Sequence, residues 1–77
     1  MPVYNYMLKK HSFPKFPKLL AKFRIQAGLS QNKLAKLLGY TQVVSVNRWE
    51  RGLVVPTTGN LAKLAKILKV SLTDLVG

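Results

Sequence analysis

The stretch SQNKLAKLLGYTQVVSVNRWERG, residues 30–52, decides how this chain folds. Its first part carries both a start and a stop signal for a helix. Ser30 has a side-chain oxygen able to accept from a free N–H of a first helical turn, and QNKLAKLL then runs to Gly39, a residue that ends helices. The second part sorts by 3.6-residue spacing into two sides. Val46, Trp49 and Glu50 fall together at i, i+3 and i+4, while Val44, Asn47, Arg48 and Arg51 fall opposite them. This second helix is expected to begin near Thr41 or Gln42 and to end at Gly52. Its apolar side points inward, and its side-chain donors and Val44 point outward.

Glu50 is the odd member of the inward set. The chain has thirteen Lys and Arg and two acids, Glu50 and Asp74. An acid at the edge of a core needs a cation. Outside this segment the Arg available is Arg24, one residue after Phe23 on what reads as the buried face of an earlier helix. One reading pairs Arg24 with Glu50 as a bidentate clamp between the two helices. The other leaves Glu50 solvated, relieving repulsion among Arg48 and Arg51. Spacing does not choose between them.

Composition narrows the function classes. Seventy-seven residues make one domain near the lower size limit for an independent core, and 48% hydrophobic content is that of a globular chain. Without Cys there is no disulfide framework or thiolate site. One His and two acids cannot furnish a metal cage or an acid/base pair, so neither an enzyme, a metal site nor a cofactor is expected. A net charge of +11 predicts attraction to polyanions. No apolar run approaches the ~20 residues of a membrane span, and MPVYNYMLKK puts its charges after the apolar part, unlike a secretory signal. A soluble, cytoplasmic, nucleoid-associated protein is expected, with a membrane-active peptide as the weakest rival.

The rest of the chain reads as short helices around that centre. Residues 1–15 are expected to form a flexible basic and aromatic arm. Val3, Asn5 and Met7 alternate with Tyr4, Tyr6 and Leu8 as in a strand, but no partner strand is evident, and Lys9, Lys10, Lys15 and Lys18 surround Pro14 and Pro17. The arm's aromatics, including Phe13 and Phe16, either pack on the core or pair with a second subunit. A first helix is predicted from Pro17 to Ala27, with Leu20, Phe23 and Ala27 on one face and Gly28 as its stop. After the loop GLVVPTT, Thr57 or Thr58 caps a fourth helix with Leu61, Leu64, Ala65 and Leu68 as its stripe. Ser71 caps a short fifth, carrying Leu72 and Leu75. The expected fold is all-α, with five helices packed compactly.

SQNKLAKLLGYTQVVSVNRWERG, followed by Pro56 and NLAKLAKILKVSLTDL, resembles the helix-turn-helix domains of lambdoid phage repressors, Cro proteins and their bacterial relatives. The resemblance spans roughly residues 19–76. It rests on Arg24, Ser30, Gln31, Leu34, Ala35, Gly39, Trp49, Glu50, Gly52 and Pro56 together. It implies a repressor-like helix-turn-helix DNA-binding domain over residues 16–77, and it favours the Arg24–Glu50 clamp, since that family pairs the matching residues. Two departures stand out. One extra residue lies between Gly39 and Glu50, and Lys69 stands where many relatives have Gly.

In the docking mode that the resemblance implies, the third helix enters the major groove. Gln42, Val43, Val44, Asn47 and Arg48 become candidates for reading bases, with Arg48 suited to guanine and the valines to thymine methyl groups. Ser30, Gln31, Thr41, Arg51, Lys15 and Lys18 become candidates for the phosphate backbone. Lys33 and Lys36 either touch phosphate or stay solvated, and Lys63, Lys66 and Lys69 read as a solvated face. The implied protein is a repressor bound as a homodimer to a pseudo-palindromic operator in double-stranded DNA. No separate oligomerisation domain is expected after the fifth helix, so Leu72, Leu75 and Val76 are either the dimer contact or ordinary core. The rivals are an antitoxin that also binds a toxin protein and a sequence-neutral nucleic-acid coating protein.

Overall fold

The structure is a computed structural model and describes residues 13–39 and 43–77. It contains five helices in the described residues: α1 (Phe16–Gln26), α2 (Gln31–Leu38), α3 (Val44–Glu50), α4 (Thr58–Leu68) and α5 (Leu72–Val76). The expectations for Lys9, Lys10 and the alternating N-terminal stretch lie outside the described residues. So do those for Thr41 and Gln42 and for an extra residue at the turn.

Helix starts follow the side chains that can accept a free N–H. The hydroxyls of Ser30, Thr57 and Ser71 accept from the backbone N–H of Lys33 (3.0 Å), Asn60 (3.3 Å) and Asp74 (2.9 Å). α1 instead starts at Phe16, with Pro17 in its first turn, where a missing N–H removes one donor that would have no helical partner. α3 begins two or three residues later than the spacing predicts, after Val43, which offers no side-chain cap. The β-branched run Val43, Val44 and Val46 supplies no start signal, and β-branching weakens helix propensity.

Helix ends share one device. After α1, Gly28 N–H donates to Ile25 O and Leu29 N–H reaches back to Arg24 O. After α3, Gly52 and Leu53 repeat this with Trp49 O and Arg48 O. Each motif needs a left-handed residue, supplied by Gly28 (φ 73°) and Gly52 (φ 75°). Lys69 does the same after α4 at φ 58°, the lone non-glycine in this region among the described residues.

The core lies where α1 packs on α3 and α5, α2 on α3 and α4, and α4 on α5. Leu20, Leu34, Val46, Leu64 and Leu75 are fully buried, one from each helix. Each contributes on the order of 2 kcal/mol by leaving water. All four residues of the α4 stripe are buried. Two open alternatives are decided, and one expectation is overturned. Phe16 belongs to this core and Phe13 packs against it, so these two aromatics are internal. Ala27 is exposed, because the helix has already ended there and the chain turns away through Gly28. Leu75 is core; of the three residues considered for a dimer contact only Leu72 is exposed, while Val76 packs partly on the core.

Candidate nucleic-acid interface

α3 is seven residues long, too short to hold its own conformation in water. Val46 and Trp49, both buried, fasten one side of it. Glu50 completes that side. Arg24 Nε donates to Glu50 Oε2 at 2.5 Å and Arg24 Nη2 to Oε1 at 3.1 Å, a two-point pairing of guanidinium and carboxylate. The third guanidinium nitrogen, Nη1, donates to Leu29 O at 2.8 Å, tying the α1–α2 turn to the same centre. The side chains of Arg24 and Glu50 are only 14% and 8% exposed. The clamp joins α1 to α3 as the helix faces and the family resemblance together suggest.

The sequence did not reveal that α2 joins this centre. Gln31 Nε2 donates to Glu50 Oε1 at 2.9 Å, and Asn47 Nδ2 lies 3.5 Å from Gln31 Oε1. Helical spacing places a residue on a face but does not show that a long amide bends across to a neighbouring helix. A hint was nonetheless present. Glu50 has more acceptor capacity than one guanidinium fills, and Gln31 opens the helix that packs beside α3.

The opposite side of α3 faces out. Arg48 and Arg51 are exposed, Val44 is 43% exposed, and Asn47 and Val43 are half-buried. Ser30, at the start of α2, is exposed with its hydroxyl engaged in capping. Lys15 and Lys18 are exposed at the start of α1, which meets the end of α3: a Cβ placed on Gly52 would sit 3.4 Å from Pro17 Cγ. Thus one surface gathers Val44, Asn47 and Arg48, with Gln31 adjoining Asn47. The α1 lysines flank Pro17, which stands beside Gly52 just past the other end of α3. The described residues offer no cluster of His, Cys, Asp or Glu able to hold a metal, and no helix among them is long and apolar enough to cross a membrane.

A helix-turn-helix family model matches residues 20–75. Among solved structures, the restriction-modification controller protein C.AhdI from Aeromonas hydrophila is 34% identical, covering 83% of this chain and 96% of that one, with a TM-score of 0.73. An HTH_3-family transcriptional regulator from Vibrio cholerae is 30% identical over 79% of this chain and 34% of its own, with a TM-score of 0.69. The hydroxypropylphosphonic acid epoxidase from S. wedmorenis is 32% identical over 84% of this chain, with a TM-score of 0.76. The chain spans only 34% of the epoxidase's length. No curated protein sequence matches it.

Proposed function

The chain belongs to the helix-turn-helix family, and we propose that it is a sequence-specific double-stranded DNA-binding transcription regulator, a repressor that occupies a pseudo-palindromic operator as a homodimer. The observation carrying this reading is the division of α3. Trp49 and Val46 are buried and Glu50 is clamped, while Arg48 and Val44 on the far side are exposed. A helix held this rigidly by one face presents the other at a fixed rotation, which major-groove readout requires.

Arg48 is the leading base reader, placing two parallel donors on guanine O6 and N7. Val44, and Val43 beside it, meet thymine methyl groups, and Asn47 meets a base edge. Gln42 and Thr41 retain their assignments from the sequence, to a base and to phosphate. Ser30 and Gln31 at the start of α2 approach phosphate, where free N–H groups and the helix dipole favour an anion. Arg51, Lys15 and Lys18 supply further phosphate contacts. The net charge of +11 supports the electrostatic part of binding. Similarity over 83% of this chain and 96% of a controller protein supports the regulator reading over an enzymatic one.

Selection from a random duplex library at two salt concentrations tests the reading. Enrichment of an inverted repeat, with half-sites about one helical turn apart, is the expected result. Binding that enriches nothing and collapses with salt would replace it by the coating-protein reading.

A further inference from the structure

A groove lies between the C-terminal ends of α1 and α4. Phe23 lines it from α1, Leu29 from the turn that follows, Leu37 from α2, and Ile67 and Val70 from the end of α4 and just past it. None of the described residues proposed to meet DNA lines this groove. Four of its side chains pack partly on the core, and Leu37 is 50% exposed. One exposed leucine is ordinary, but a leucine opening onto an apolar groove marks a place where another molecule can bury surface. At about 480 Å³ the groove is large enough to take anchoring side chains.

Its rim carries charge of one sign. Lys69 stands at the edge, and Lys22 Nζ lies 5.9 Å from the centre of the Phe23 ring. Lys22, Lys33 and Lys63 each stand one helical turn before a lining residue, Gln26, Leu37 and Ile67 respectively, and all three are exposed. Neither acid of the chain is there: Glu50 is held by Arg24 and Gln31, and Asp74 lies in α5. DNA would match the lysines but not the apolar floor. A second copy would bring its own charge of +11 to a basic rim, and residues 1–12 of this chain would bring Lys9 and Lys10 and no acid. Like charges facing each other oppose both. Lysines on three helices also spread the charge more widely than one small carboxylate can use. We infer that the groove is a docking site for another protein, which inserts an acidic amphipathic helix with its apolar face on the floor and its carboxylates at the rim. This partner surface goes beyond the DNA-binding reading and does not depend on it.

The probe is a synthetic helical peptide with leucine at i, i+3, i+4 and i+7 and glutamate on its other face, added to the full chain and followed by fluorescence anisotropy. A control peptide has the same composition in an order that breaks the leucine spacing. The patterned peptide should bind at least about tenfold more tightly than the control, and more weakly as salt screens the rim. Leu37→Glu puts an acid on the floor and should weaken that binding by about tenfold or more. Lys63→Glu reverses one rim charge and should weaken it by about threefold or more. Both positions are exposed, so the melting temperature and the base preference should hold. Amide chemical shifts of the unaltered protein give an arm that is independent of any substitution. The peptide should move Leu29, Leu37, Ile67 and Val70 and spare Arg48.

Equal binding of the two peptides would reduce the site to net charge and overturn the inference. Shifts centred on α3, or no binding at peptide concentrations on the order of millimolar, would do the same. If Leu37→Glu turns a dimeric protein into a monomer, the groove is an interface between copies. If a peptide of residues 1–12 displaces the patterned one, the chain's own segment is the occupant. Either of these results would remove the separate partner.

Discussion

α3 and α4 are both amphipathic, yet they are held by different forces. α4 has eleven residues and buries Leu61, Leu64, Ala65 and Leu68, while Lys63, Lys66 and Lys69 stand exposed. α3 has seven residues and buries two. Its polar residues compensate: Glu50 accepts three hydrogen bonds from α1 and α2, and Asn47 donates a fourth to Gln31. Apolar burial is non-directional, so it holds a helix down without fixing its rotation closely. Hydrogen bonds to a carboxylate are directional. The helix proposed to present side chains at a set angle is the one fixed by such bonds.

The largest effect should come from the region held by area. Leu64→Ala removes a fully buried side chain from α4 and should destabilise the domain by about 2–5 kcal/mol. Denaturant unfolding measures this, and the base preference of the remaining folded protein should be unchanged. A changed preference would mean that α4 also sets the angle of α3.

The clamp should give the next effect. Glu50→Gln keeps the size but replaces two acceptor oxygens by one, while three donors still converge there. At least one donor then faces an amide NH2 group, and the Arg24 charge is left without its partner. A loss of about 3 kcal/mol is expected, visible as a fall in melting temperature. Unlike Leu64→Ala, this variant should also blur base preference in the folded fraction. If it loses stability alone, directional bonds are not what orients α3.

The polar faces can be compared directly. Arg48→Ala should remove about 1–3 kcal/mol of discrimination at one base position and leave the melting temperature within a few degrees of the parent. Lys66→Ala, on the solvated face of α4, should change neither quantity measurably. Equal effects of the two substitutions on binding would mean that charge, rather than placement, governs recognition.

The sequence disclosed what depends on periodicity and caps, and missed what depends on reach. Ser30, Thr57 and Ser71 cap as expected, and the α4 stripe is buried in full, because each rests on local geometry. The Arg24–Glu50 pair was legible because spacing turned Glu50 inward and placed Arg24 beside a buried face, and the family resemblance favoured their pairing over a solvated Glu50. The start of α3 was obscured by a β-branched run without a capping side chain. Phe16 looked like part of the arm because it stands between two prolines, although Pro17 is accommodated in the first turn. Leu75 looked available for dimerisation because the sequence does not show that α1 packs against α5 and encloses it. The bond from Gln31 to Glu50 crosses between helices, and only the packing of α2 beside α3 brings it about.

The smallest effect separates backbone from charge at the end of α4. Lys69 occupies left-handed backbone at φ 58° and ψ 43°, the conformation that Gly28, Gly39 and Gly52 provide at the ends of α1, α2 and α3. A side chain there brings Cβ close to a backbone oxygen, at about 1–2 kcal/mol. Lys69→Gly relieves that strain, but glycine also gives the unfolded chain more freedom, which offsets roughly half of the gain. A net stabilisation of about 0.5–1 kcal/mol is expected, or about 2–8 °C in a domain of this size. Lys69→Ala is the control, since it removes the same charge and keeps the Cβ. If alanine raises the melting temperature as much as glycine does, repulsion with Lys66 rather than backbone strain sets the weakness. If only glycine does, α4 tolerates a strained end because its buried stripe outweighs it, a margin that the shorter α3, closed off by Gly52, does not have.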